Sequence, residues 1–532
     1  MKFRRSILAL ALLGAAIGFG LAGPSPARAQ IDITMGGSSA SDLLNDKAIE
    51  ALCGGVFTRF TRTGSSGNGC PSSTASSIRA YTCNVRFCVG GTRAGLACSG
   101  IGDTCPGGAC GSNIAATFRL SGFGSEFGVL PINGNCTDLN NLCNANQLMV
   151  LDPTNCNLGG TGGNNNCACI APGTAVTTED LGVSDVKGGS FIPPVPQPAN
   201  SAAPVAVPFK FILSNDLETG ICNGGTNNAR NCSSGADCPS GTCVQTKLSR
   251  LAVAEAQSIW AAGVPSWNRV CWNPDTYTCN GGTNANQACN PNNPVATECP
   301  KTLPADPQPQ CVNCTAFGPS KPMRICPRTA TSGTRACQVQ VVHANNGLPF
   351  VGGAGPNVDV FYPADVGGTT AVRPACPDTT TQATTFPFSS TPGADGLCDD
   401  CPDLDGDDLC DIVVREGTAT GDVDNCVDAL DGSIGFIAAD RFDSANWYGV
   451  GYDKTLHSLE AMRNGSSSLW CSLTYNKRPN NTYDTNSLNG VNSVIDRVNT
   501  PAFLSLQAPA FSTDSLMRVL KNGDRGPIIF KP

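Results

Sequence analysis

The spacing of hydrophobic positions changes along the chain. A basic start (Lys2, Arg4, Arg5) leads into an apolar run from Ile7 to about Ala22, and Ala27-Arg28-Ala29 follows as a small-x-small cleavage site. That order predicts a secretory signal peptide over residues 1–29. Ile31 to Met35 then reads as a first strand ending at Gly36-Gly37, and Asp42 to Leu52 reads as a helix. Ala115 to Leu120 is a second strand, followed by a glycine-rich turn. Val205, Val207, Phe209, Phe211 and Leu213 alternate as one face of a strand, with Pro208 suggesting an edge or a late start. Ser249 to Trp260 reads as a helix capped by Ser249, with Ala252, Ala256 and Ile259 on one face. Ser433 to Ile437 is strand-like. Helices between short glycine-ended strands predict an α/β fold with parallel sheets.

Composition narrows the function classes. The 532 residues carry a formal charge of -8, and losing the four basic residues of 1–29 leaves -12. An acidic mature chain argues against nucleic acid or an anionic membrane surface as partner. No later segment is long and apolar enough to span a bilayer, so the product is expected in the periplasm, secreted or at the cell surface. In that compartment the 30 cysteines are expected as disulfides. With only His343 and His457, and neither following a C-x-x-C pair, haem attachment and histidine-rich zinc sites are excluded.

The cysteines recur in a pattern. Cys88-Val-Gly-Gly-Thr is followed by Cys98, Cys105 and Cys110; Cys222-Asn-Gly-Gly-Thr by Cys232, Cys238 and Cys243; Cys279-Asn-Gly-Gly-Thr by Cys289 and Cys299. These read as stapled excursions on a larger fold, or as free-standing recognition modules. A separate acidic stretch holds Asp395, Asp399, Asp400, Asp403, Asp405, Asp407 and Asp408. It is either a calcium loop, with Asp403, Asp405 and Asp407 as oxygen ligands, or a solvated acidic turn; the twelve-residue EF-hand pattern is incomplete.

Four segments share a strand-like run followed by small, hydroxyl-bearing residues: Gly37 to Ser41, Gly122 to Ser125, Leu181 to Asp185, and Arg328 to Thr334. Small residues let backbone N–H groups approach a ligand, hydroxyls add donors, and Arg328 offers a bidentate fork. Together they describe an oxyanion cage. Their order, with Ile259-Trp260 through Trp267-Asn268 and Gly432-Ser433-Ile434-Gly435-Phe436, resembles the phosphate-binding subunit of bacterial phosphate importers, including the related DING proteins. The resemblance covers roughly residues 31–460.

The resemblance implies a two-lobed periplasmic-binding-protein fold of type II. Residues 30–203 would form lobe 1, with cysteine-rich insertions near 65–112 and 132–170. Residues 204–424 would form lobe 2, with insertions near 221–244, 271–314 and 376–410, and 425–532 would return to lobe 1. It implies a monomer that binds phosphate or a similar oxyanion reversibly for the membrane permease of an ABC importer, without catalysis. Ser41, Ser125, Asp185, Arg328, Ser332, Gly333 and Thr334 take the ligand-binding places. Asp185 would accept a proton from hydrogen phosphate, which sulfate cannot supply. Three departures bear on the ligand: Ala330 replaces an acidic residue that orients the arginine, and Asp42 and Glu126 place carboxylates beside the cage. The competing expectations are a cysteine-rich secreted structural or adhesion protein, and a secreted hydrolase with an acidic site.

Overall fold

A computed structural model describes most of residues 30–531. The segments outside it include 1–29, 62–77, 158–165, most of 273–310 and 343–411. The expected leader, His343, His457 and the acidic stretch with Asp403, Asp405 and Asp407 all lie outside the described residues. Among the described residues, no helix is long and apolar enough to cross a membrane.

The fold is mixed α/β. Its first sheet centres on β1 (Ile31–Gly37), which is followed by α1 (Asp42–Leu52). β2 (Phe57–Thr61) and β3 (Ile78–Val85) form an antiparallel edge, and β3 pairs antiparallel with β4 (Ile114–Ser121). β1 runs parallel to β4 on one side and to β5 (Leu181–Ser184) on the other. The predicted parallel sheet is therefore real at its centre and antiparallel at its margins. Ile31, Ile33 and Met35 point into one core shared with Leu44, Ile49 and Phe118.

β6 (Asn200–Ser214) joins this sheet to the next. Residues up to Pro208 pair with β12 (Trp470–Lys477), and from Phe209 onward the strand pairs with β10 (Ser433–Ala438) and β11 (Trp447–Tyr452). The expectation that Pro208 marks an edge or a late start is corrected. It sits mid-strand, at the point where the ladder changes partners, so its missing N–H falls where the pairing switches. The expected one-sided alternation is also exceeded, because Ala206 and Ile212 are buried as well and both faces are covered.

In the second sheet β8 (Met323–Cys326) lies parallel to both β9 (Ile412–Val414) and β10, and β7 (Arg250–Leu251) lies parallel to β11. The helix expected from Ser249 begins instead at Val253 (α2, Val253–Trp260), because Arg250 and Leu251 are taken up by β7. The Glu255 carboxylate accepts the Ala252 N–H at its start, in place of a Ser249 cap. Trp260 and Trp267 are fully buried core residues. Three more helices matter below: α3 (Gly333–Val342), α4 (Thr420–Ala429) and α5 (Thr485–Val498). β12 pairs antiparallel with both β5 and β6.

The cysteine excursions are disulfide-stapled, as expected. Cys88–Cys105 with Cys98–Cys110, and Cys222–Cys238 with Cys232–Cys243, repeat one connectivity. In both, the Gly-Gly pair has positive φ (75° and 73° at Gly90 and Gly91, 79° and 73° at Gly224 and Gly225), which glycine adopts without strain. In both, a threonine N–H bonds a proline carbonyl: Thr92 to Pro106 and Thr226 to Pro239. The third copy pairs Cys279 with Cys311 across strands, the register of Cys88 with Cys110 and Cys222 with Cys243. The first module rests on α5 through Arg93–Asp496 and Arg497–Asp103 ion pairs, and the second on Thr315 and Phe317. The 132–170 region differs from a coreless excursion. Leu148, Val150 and Leu151 pack with Phe60, Ile78 and Phe127 as a second apolar cluster.

Two long-range disulfides tie elements near the centre: Cys326–Cys426 joins β8 to α4, and Cys337–Cys471 joins α3 to β12, 134 residues apart. Closing so long a loop constrains the unfolded chain strongly, and both Cys337 and Cys471 are fully buried. The Cys337→Ala/Cys471→Ala double variant is expected to lose about 2–4 kcal/mol of stability. Chemical denaturation of the oxidised protein measures this, and an unchanged midpoint would reject it.

Candidate functional site

Four chain segments far apart in sequence meet at one buried point. The first is the end of β1. Ser38 is extended (φ -64°, ψ 125°) and caps a short 3-10 turn over Ser39–Ser41 by accepting the Ala40 N–H. The second is the Gly122–Ser125 turn after β4, the third the end of β5 at Asp185, and the fourth runs from Arg328 after β8 into α3.

Asp185 is the centre. Its Oδ1 accepts a hydrogen bond from the Ser38 hydroxyl, and its Oδ2 accepts from Thr334 Oγ1 at 3.2 Å. Its backbone N–H donates to Ser125 Oγ at 3.1 Å. Arg328 approaches through hydroxyls: Nη1 donates to Thr334 Oγ1 at 3.4 Å and to Thr420 Oγ1 at 3.2 Å, and Nη2 to Ser39 Oγ at 3.2 Å. Thr334 thus accepts from the guanidinium and donates to the carboxylate. Asp185 is 1% exposed and Arg328 2%. Burial pushes the Asp185 carboxyl up, against the Ser38 hydroxyl, the Arg328 charge and the bonds from Thr334 and Ser125, all of which favour ionisation.

Of the sequence-predicted residues, Ser125, Asp185, Arg328 and Thr334 are brought together. Gly333 lies against them so closely that a Cβ there would stand 2.1 Å from Ser125 Oγ and 2.9 Å from Asp185 Cβ. Ser332 serves the helix, accepting the Arg335 N–H at 3.4 Å. Ser41 is not in the cage. Its hydroxyl turns back to the Ser38 carbonyl at 2.9 Å and accepts from Asn45 at 3.0 Å, because it already lies on the turn into α1. Ser38 and Ser39 take the place assigned to it. The sequence contains them in the same serine-rich loop, and only the residue at which β1 ends decides between them. Thr420, at the start of α4, carried no motif.

The flanking carboxylates are placed as follows. Asp42 opens α1 and pairs with Arg79 at 2.9 Å, while Arg79 also pairs with Asp46 at 2.7 Å. Burial nevertheless raises the Asp42 carboxyl to about 6, Arg79 opposing the shift. Asp440, after β10, is likewise raised to about 6, chiefly by burial and against the Arg441 charge. Glu126 is partly buried, which raises its carboxyl too. The cysteine triplets at Cys88, Cys98, Cys105 and at Cys222, Cys232, Cys238 have metal-like proximity, but their sulfurs are spent in disulfides.

No family model matches the chain, and no curated protein matches it. Among solved structures, one described as a phosphate ABC transporter substrate-binding protein with bound phosphate, from Clostridium perfringens, is 9% identical. That similarity covers 62% of this chain and 77% of that one, with a TM-score of 0.30. An ABC-type phosphate transport receptor from Vibrio cholerae is 7% identical over 62% of this chain and 79% of that one, TM-score 0.29. A phosphate-binding protein from Stenotrophomonas maltophilia is 12% identical over 57% and 64%, TM-score 0.24. The likeness is distant, and the chemistry of the site rests on its own geometry.

The raised acids have a consequence for stability. The folded state keeps the Asp440 proton up to about 6, whereas the unfolded chain releases it near 3.8. The contribution of this group is therefore complete below about pH 4 and is lost as pH rises through about 6. Asp440→Asn holds the neutral form at every pH. Its melting temperature is expected to gain on that of the wild type as pH rises from about 4 to about 6. A difference that stays constant across this range in thermal melts would refute the assignment.

Proposed function

We propose that the chain is an extracytoplasmic solute-binding protein whose two lobes close on phosphate or a similar small oxyanion, for delivery to an ABC importer. The observation that carries this reading is the convergence at Asp185. A buried guanidinium reaches three hydroxyls, and a buried carboxyl takes two more hydroxyl contacts, from segments as distant as Ser38 and Thr420. An oxyanion of tetrahedral shape entering this cluster would draw the hydroxyl and guanidinium donors from protein oxygens onto its own charged oxygens. Ser38, Ser39, Ser125, Gly333 and Thr334 would donate, Arg328 would supply the charge, and the N-terminus of α3 would point its N–H groups at the ligand. Asp185 would accept the proton of hydrogen phosphate, so that sulfate, with no proton to give, is disfavoured. β6 and β12 would act as the hinge between lobes. The process is binding, with no bond made or broken.

The abundance of disulfides agrees with export to an oxidising compartment. The cysteine modules at 88–110 and 222–243 dock separately, on α5 and on residues 315–317, which disfavours a protein built from repeats packed on one another.

Calorimetric titration of the anion-stripped, oxidised protein with phosphate and sulfate tests the reading. Phosphate is expected to bind more tightly than sulfate. Arg328→Ala is expected to lose roughly 30-fold or more in affinity, since removing one member of a buried charged set costs about 2–5 kcal/mol. Absence of heat with either anion would sink the proposal.

A further inference from the structure

Arg328 carries the positive charge of the cage, and a side chain of that length loses much rotamer freedom when it is fixed. Three hydroxyls receive its guanidinium, and they come from different parts of the fold. Ser39, in the loop after β1, accepts from Nη2 at 3.2 Å. Thr334, in the first turn of α3, accepts from Nη1 at 3.4 Å and donates to Asp185. Thr420, the first residue of α4, accepts from the same Nη1 at 3.2 Å.

These three contacts are not equivalent. Ser39 and Thr334 belong to the wall around Asp185, where an anion would compete for their hydroxyls. Thr420 belongs to the framework of the arginine itself. Its helix packs through Val423, Cys426 and Val427 with Ile212, Cys326 and Ile437. The fit over β10 is close, because a Cβ on Gly435 would stand 2.7 Å from Val423 Cγ1 and 3.0 Å from Val427 Cγ2. Cys426 on that helix is bonded to Cys326, two residues before Arg328. Donor and acceptor are therefore set on one packed and covalently closed unit, and Thr420 is 2% exposed.

The chemistry of the acceptor also suits the task. A hydroxyl fixes the direction of a guanidinium without adding a negative charge beside it, so the attraction for an anion is kept. Ala330, two residues after Arg328, has no side-chain acceptor to serve this purpose. Asp424, one turn along α4, pairs with Arg441 at 3.6 Å.

We infer that Thr420 is a positioning residue of the cage: its hydroxyl holds the Arg328 guanidinium in place before the anion arrives, so that binding does not have to order it. This rests on the oxyanion reading and assigns how the charge of that site is aimed.

The experiment is calorimetric titration of phosphate into oxidised, anion-stripped protein, with thermal melts alongside. Thr420→Val removes the hydroxyl at nearly constant size and is expected to lose about tenfold in affinity. Thr420→Ser keeps the hydroxyl and is expected to stay within about twofold of the wild type. In an Arg328→Ala background, Thr420→Val is expected to cause no further loss, since the group it positions is gone. If Thr420→Val does not fold, Thr420→Ala takes its place in both backgrounds. Wild-type affinity in the valine or alanine variant would overturn the inference, as would an equal loss in the serine variant. So would the same loss with and without Arg328, because Thr420 would then act on the ligand or on packing by itself. Each of these outcomes leaves oxyanion binding intact. If the wild type takes up no phosphate, the oxyanion reading fails and this inference with it.

Discussion

The site depends on how closely three stretches of backbone approach one another. A Cβ on Gly37 would fall 1.9 Å from the Val183 carbonyl oxygen, one on Gly128 2.2 Å from the same oxygen, and one on Gly182 2.0 Å from the Gly128 carbonyl oxygen. No side chain larger than hydrogen fits at any of the three. Because they are glycines, β1, β5 and the 125–128 turn lie almost in contact, and the Ser38 N–H bonds Val183 while the Gly124 N–H bonds Gly37. Ser38, Ser125 and Asp185 each sit within a few residues of these contacts. Their convergence is a consequence of backbone packing before any polar side chain contributes. Gly333 extends the same device to the fourth segment, bringing the start of α3 against Ser125.

Given that frame, the electrostatic arrangement has a clear logic. A guanidinium and a carboxylate brought this close commonly pair face to face. Thr334 instead stands between them, accepting from one and donating to the other. A hydroxyl can reverse these roles at little cost, whereas a carboxylate or guanidinium cannot. On the proposed reading, an incoming anion would be accommodated by rotating hydroxyls rather than by separating a buried ion pair, which is a far more expensive step. Burial raises the Asp185 carboxyl, while the surrounding hydroxyls and the Arg328 charge oppose that rise.

Much of this was legible in the sequence, and the limits were local. The strand at Ile31–Met35, the helix at Asp42–Leu52 and the alternation from Val205 to Leu213 follow from period and end signals. The four segments stand out because small residues and hydroxyls cluster at strand ends, while the choice of Ser125, Asp185, Arg328 and Thr334 within them came from the family resemblance. Ser41 was misplaced by the difference of a few residues in where β1 stops, since any of three serines in that loop has the right chemistry. Thr420 was invisible because a threonine at a helix start is ordinary until Arg328 is seen to reach it. Pro208 and Ser249 misled for a common reason: a local preference was judged without knowing which neighbouring strand would claim the backbone.

The disulfides explain how such a site tolerates a chain so heavily elaborated. Arg328 and Thr420 bond each other across 92 positions of sequence. The entropy of closing a loop grows only slowly with its length, but the closing contact must still be held in register. Cys326, two residues before Arg328, is bonded to Cys426 in the helix that Thr420 begins. Cys337, one turn after Thr334, is bonded to Cys471 on β12, the strand that pairs with both β5 and β6. The two staples thus bracket the cage on its arginine side, as the glycines do on its aspartate side. Chain can be added between these anchors while the staples hold the contacts at the cage in register. The cysteine modules at 88–110 and 222–243 obey the same rule on a smaller scale, each closed by its own pair of bonds and set on a finished surface.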